Sequence, residues 1–186
     1  MINENSTKDE VLKAVRQDGW YLQYASDELR GDREVVMAAI KQIGSALEFA
    51  SDDLKGNREV VMAAVDRNWY MLQYASDELR GDRDVVLAAV RQSGWYLQHA
   101  SDELRNDKEV VLEAMGQNYH AFEHASEELR NDKEVVMEAV MQEGNMLKYA
   151  SDELRNDLEV VREAVKRRRS SLYYASDDII NSILDF

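Results

Sequence analysis

Residues 75–99 read ASDELRGDRDVVLAAVRQSGWYLQH, and the chain returns to this 25-residue phrase along its whole length without an insertion. Ala75 aligns with Ala25, Ala50, Ala100, Ala125, Ala150 and Ala175. Leu79 aligns with Leu29, Leu54, Leu104, Leu129 and Leu154, and Leu97 with Leu22, Leu47, Leu72, Phe122, Leu147 and Leu172. A fixed period of this size marks a repeat architecture, in which each unit buries its apolar face against the next.

The pattern inside the phrase is helical. Asp82 is placed to accept from the unpaired N–H groups of a first helical turn, and Thr7, Asp32, Asn57, Asp107, Asp132 and Asp157 fill the same slot. An acidic residue follows two positions on, where the helix dipole favours it. Val85, Val86, Ala89 and Val90 then give a helical apolar face, predicting a helix over about 83–92. A strand is excluded because the Val pairs do not alternate with polar residues. Gly94, like Gly19, Gly44 and Gly144, reads as a left-handed helix stop. A second, shorter helix carries Leu97, Ser101 caps a tight turn, and Gly81 or Asn106 suits a positive φ.

A 25-residue hairpin buries too little apolar surface to offset its own ordering, so the units must stack. The expected fold is all-α, a right-curving or superhelical α-solenoid of about six and a half helix–turn–short-helix repeats. Residues 1–186 read as one repeat domain. It comprises a half-repeat over 1–24, six complete repeats over 25–174 and a capping segment over 175–186. In that last segment Ile179, Ile180, Ile183 and Leu184 are expected to cover the final core layer. Lys166–Arg169 is a run of four cations, read as a charged outer face or a dock for an acidic partner.

Composition narrows the function classes. The hydrophobic share of 45% supports a folded core. The net charge of −14 points away from nucleic acid, whose binding rests on surplus Lys and Arg. No Cys is present, which removes disulfides, thiolate metal sites and a thiol nucleophile. The chain shows no secretory signal pattern and no apolar run of bilayer length. A soluble chain, cytoplasmic or a delivered fragment, is expected, monomeric and without cofactor or membrane partner.

The unit beginning ASDELRNDKEVVLEAMGQN at Ala100 resembles the short helical repeats catalogued as domain of unknown function 4116. The resemblance runs from about Thr7 to Asp178. It implies a helical-repeat fold and a scaffold-like role, and it transfers no catalytic residue. The regularity of the units also admits a consensus-derived array.

Repeated positions read as caps, core and turns, so a binding surface is sought in positions that change. Two adjacent columns vary most: Trp20, Ser45, Tyr70, Trp95, His120, Asn145, Ser170, and Tyr21, Ala46, Met71, Tyr96, Ala121, Met146, Ser171. Trp69 and Tyr119 stand in the preceding, mostly Gly column. Trp and Tyr dominate interface hot spots, so Trp20, Tyr21, Trp69, Tyr70, Trp95, Tyr96 and Tyr119 form a candidate partner-binding ridge. The alternative is that half of these rings are inter-repeat core. His120 and His124, four apart on a short helix, could join His99 around a transition metal. Equally, His99 and His124 replace Tyr in an aromatic column. No phosphate loop, nucleophile elbow or zinc-protease motif occurs, so a non-catalytic protein or peptide scaffold is expected, with a structural spacer as the alternative.

Overall fold

Each repeat begins at its cap. The side chains of Thr7, Asp32, Asn57, Asp82, Asp107, Asp132 and Asp157 all accept from first-turn backbone N–H groups, and Thr7 forms a reciprocal capping box with Glu10. A computed structural model describes residues 2–184 of the chain. They form an all-α solenoid of 25-residue repeats, with no strand among the described residues. The chain divides into two compact units, Met1–Ser101 and Asp102–Phe186.

Unit 1 runs α1 (Lys8–Val15), η1 (Gly19–Tyr24), α2 (Asp27–Arg30), α3 (Arg33–Gln42), η2 (Gly44–Phe49) and α4 (Asp52–Lys55). It continues α5 (Arg58–Val65), η3 (Trp69–Tyr74), α6 (Asp77–Arg80), α7 (Arg83–Gln92) and η4 (Gly94–His99). Unit 2 runs α8 (Asp102–Arg105), α9 (Lys108–Gln117), η5 (Tyr119–His124), α10 (Glu127–Arg130) and α11 (Lys133–Gln142). It ends η6 (Gly144–Tyr149), α12 (Asp152–Arg155), α13 (Leu158–Arg167), η7 (Arg169–Tyr174) and α14 (Asp177–Leu184). A repeat is therefore a one-turn helix, a long helix and a six-residue 3₁₀ helix, three pieces where the sequence suggests two.

The core lies between long helices and 3₁₀ helices. Val35, Val36, Ala39 and Ile40 of α3 are wholly buried, as are Val135, Val136, Ala139 and Val140 of α11. Leu47 and Leu147 of the 3₁₀ helices meet them from the other layer. Truncating one such Leu to Ala costs about 2–5 kcal/mol in a packed core.

The repeated Ala-Ser phrase has a mechanical role beyond capping. The hydroxyls of Ser26, Ser51, Ser76, Ser126 and Ser151 accept from the N–H of the Leu three residues on. From Ser51 onward the Ser N–H also donates to a carbonyl one repeat earlier: Ser51 to Arg30 (3.0 Å), Ser76 to Lys55 (3.1 Å), Ser126 to Arg105 (2.9 Å), Ser151 to Arg130 (2.9 Å). One short phrase thus caps its own turn and ties it to its neighbour.

A charge ladder runs beside these bonds. The first residue of a long helix reaches the cap and second residue of the next one. Lys8 pairs with Asp32 and Glu34, Arg58 with Asp82 and Asp84, Lys108 with Asp132 and Glu134, and Lys133 with Asp157 and Glu159. Hydrogen bonding from Lys8 holds the Asp32 carboxyl below its ordinary value, against the opposing pull of burial. Arg33 reaches Glu59 alone, because the cap there is the neutral Asn57. Leu158 breaks the series.

Two expectations about glycine are corrected. No residue among those described has a positive φ. Gly31, Gly56 and Gly81 close their one-turn helices at φ near −93°, −91° and −94°, a region open to any residue. Gly19, Gly44 and Gly144 are not left-handed stops either. A Cβ there would stand 2.5 Å from the carbonyl oxygen of Ala39, 2.8 Å from that of Ala64 and 2.3 Å from that of Ala164. Glycine is needed for close approach of the 3₁₀ helix to the next long helix. Of the expected C-terminal cover, Ile179 and Ile180 lie half-buried on α14. The side chains of Ile183 and Leu184 lie outside the described residues, as do Asp185 and Phe186.

Candidate functional site

A 3₁₀ helix has three residues per turn, so neighbouring positions face different directions and i, i+3 pairs eclipse. That geometry separates the two variable columns. The column of Tyr96 turns inward: Ala46, Met71, Tyr96, Ala121, Met146 and Ser171 are all buried, and Tyr21 half-buried. The column of Trp20 turns outward, leaving Trp20 40% exposed, Tyr70 45% and Trp95 39%.

The seven candidate ring residues therefore do not form one surface. Tyr96 is 2% exposed and belongs to the core, a correction to the expected ridge. Burial pushes its phenol up to about 12, with Tyr70 and Tyr74 adding to the effect. Trp69 stands edge-on to it at 4.2 Å between centroids, and Tyr70 at 5.8 Å. Trp69, Tyr21 and Tyr119 are half-buried, each beside another ring. Trp69, for example, contacts Tyr70 at 6.0 Å.

Two further rings of unit 1 were not singled out by the variable columns. Tyr24 is 49% exposed, and Phe49 stands edge-on to Trp20 at 5.5 Å. Both belong to a column in which nearly every repeat places an aromatic, so variation between repeats could not flag them. Tyr74 of the same column is held above the usual tyrosine value, mainly by burial and then by Glu48 beside it. Unit 1 thus presents Trp20, Tyr24, Tyr70 and Trp95 to solvent, backed by Phe49, Trp69 and Tyr96. Edge-to-face packing fixes such rings at little further entropic cost to a binding event.

Unit 2 carries polar groups at the same repeat positions. Asn145 Oδ1 accepts from Ser170 (3.1 Å) and Ser171 (3.2 Å), a side-chain ladder along this edge. Glu143 accepts from Arg168 at 3.0 Å. Tyr149 donates to Glu123 at 2.6 Å, and Lys148 lies over its ring at 4.3 Å. The 20-column residue of η5 is His120, half-buried against Tyr119 at 4.6 Å.

The histidines lose the premise that linked them. On a 3₁₀ helix, residues four apart do not share a face as they would on an α-helix, so His120 and His124 diverge. Burial holds His124 below the usual histidine value, Arg105 adding to the depression and Glu123 opposing it. His99 packs on Tyr96 at 5.0 Å within unit 1. Among the described residues, no group of three or more His, Cys, Asp and Glu side chains is gathered to hold a metal ion. In the recurring Ser-Asp pair the Ser caps its one-turn helix and the Asp pairs with the Arg three residues on, as in Ser26, Asp27 and Arg30.

A family model described as "Domain of unknown function (DUF4116)" matches residues 7–55, 32–80, 57–105, 82–130, 107–154 and 132–180, each match spanning two successive repeats. No curated protein matches the chain, and no solved structure matches it. No helix among the described residues is long and apolar enough to cross a membrane.

Proposed function

The chain belongs to the family described as domain of unknown function DUF4116, and on that premise we propose that it is a non-catalytic interaction scaffold for a protein or peptide. In this reading unit 1 carries the contact surface, with Trp20, Tyr24, Tyr70 and Trp95 as anchors. The observation that supports it is the exposure of these large rings on unit 1. Aromatic anchors in partly desolvated positions are the usual seat of binding energy. A spacer with no ligand of its own would gain nothing from leaving tryptophan in solvent, where apolar surface invites association.

The test is affinity capture from a lysate of the native source, comparing the wild-type chain with Trp20→Ala/Tyr70→Ala/Trp95→Ala. Far-UV circular dichroism should be unchanged, since all three rings are exposed. The scaffold reading expects recovery of a specific partner to fall at least about tenfold, which corresponds to about 1.4 kcal/mol. Equal recovery by both chains would leave the spacer reading in place.

A further inference from the structure

The outer faces of the long helices differ between the units in a second way. In unit 1 the position after the column of half-buried Met37 and Met62 and buried Leu87 is Ala38, Ala63 and Ala88; in unit 2 it is Glu113, Glu138 and Glu163. An open groove of about 480 Å³ lies on unit 1, floored by Met37 and Ala38 and bordered by Arg16 and Lys41. The other charges that line it are already matched: Arg33 pairs with Glu59, and Glu34 with Lys8. Arg16 and Lys41 are exposed and make no ion pair among the described residues. The local surplus is positive, on a chain whose total charge is −14.

On α11 of unit 2 the pattern is the converse. Met141 is 41% exposed, one of the few large apolar side chains left so open. Glu138, one turn earlier, is exposed and accepts from the neutral Gln142 at 3.0 Å, with no cation paired to it among the described residues. A flexible thioether next to an unmatched carboxylate is the complement of an apolar floor edged by unmatched cations.

We propose that the occupant of the unit 1 groove is unit 2 of a second copy of this chain. Met141 enters over Met37 and Ala38, and Glu138 reaches Arg16 and Lys41. The contact joins different patches of two identical chains, so it builds rings or chains of copies unless it is reciprocated in a pair. The overall negative charge opposes it, so affinity is modest and salt acts in two directions. Screening first relieves the long-range net repulsion, and at higher ionic strength it weakens the exposed local pairs as well. The surface is separate from the aromatic edge, and neither proposal depends on the other.

Sedimentation velocity from about 1 to 200 μM reads the equilibrium, which should have a Kd in the micromolar range. The wild-type mass should climb with concentration to at least twice the 21.4 kDa of one chain. Arg16→Glu/Lys41→Glu, which makes the groove acidic, should stay at the single-chain mass throughout. Glu138→Lys/Gln142→Lys, which makes the α11 face basic, should do the same. An equimolar mixture of the two variants should associate again, because one supplies a basic groove and the other's partner face remains acidic. A wild-type chain of single mass at every concentration would overturn the proposal. So would variants that associate like wild type, or a mixture that fails to recover.

Discussion

Units 1 and 2 are built from the same phrase and share one scaffold, yet their edges were written for different environments. At the close of the one-turn helices, unit 1 has Gly31, Gly56 and Gly81, and unit 2 has Asn106, Asn131 and Asn156. Along the 3₁₀ edge, unit 1 shows Trp20, Tyr70 and Trp95 to solvent, and unit 2 knits Asn145 to Ser170 and Ser171. Unit 2 thus uses its variable positions for cohesion within the stack. Unit 1 gives three of the same positions to exposed rings, and its stack holds through core, backbone, the charge ladder and the bond from Asn68 to Ser45. Positions that repeat carry the fold, and those that change make the edges of the two units differ.

The shared scaffold is where a single change should cost most, and equally in both units. Gly44→Ala and Gly144→Ala each drive a methyl group into a carbonyl oxygen of the next long helix. Both should lose about 1–3 kcal/mol or more by urea denaturation, the usual penalty for overpacking. A cost in one unit only would break the premise of a common frame.

The serine column should separate the units next. In unit 1, Ser51→Ala removes the cap on the Leu54 N–H, worth about 1 kcal/mol. In unit 2, Ser151→Ala removes the equivalent cap on Leu154 and also the hydroxyl bond to Asn131. The unit 2 change should cost about 1 kcal/mol more, the net value of one further hydrogen bond. Thermal melts of the two variants would show it.

The smallest effect runs the other way. Gly56 sits at φ −91°, ψ −3°, and its nearest neighbour to an added Cβ is a carbonyl oxygen at 3.5 Å, an ordinary contact. Gly56→Asn should stabilise unit 1 by roughly 0.5–1 kcal/mol, by restricting the unfolded chain and giving Ser76 the partner that Ser151 has in Asn131. A lower melting temperature would show that the turn needs glycine after all.

The long helices and caps were legible in the sequence because an N-cap, an acidic first turn and a helical apolar face fall together at each repeat. The 3₁₀ segments were not, since six residues such as Gly94–His99 fit an α-turn as well as a 3₁₀ turn. That one ambiguity decides which way Tyr96 and Trp95 point, and whether His120 and His124 share a face. Residue type could not separate Trp95 from Tyr96; a rotation of 120° per residue does. The glycines misled for a related reason. Sequence shows that a Cβ is unwelcome, but not whether a dihedral angle or a neighbouring carbonyl excludes it.

The central claim is that binding resides on the aromatic edge of unit 1 and not on its polar counterpart in unit 2. A photo-reactive benzoylphenylalanine placed at Tyr70 in one chain and at Asn145 in another, irradiated in lysate of the native source, tests it directly. The account predicts a specific cross-linked species from position 70, competed away by excess wild-type chain, and none from position 145. Cross-linking from 145 alone, or equally from both, would contradict it.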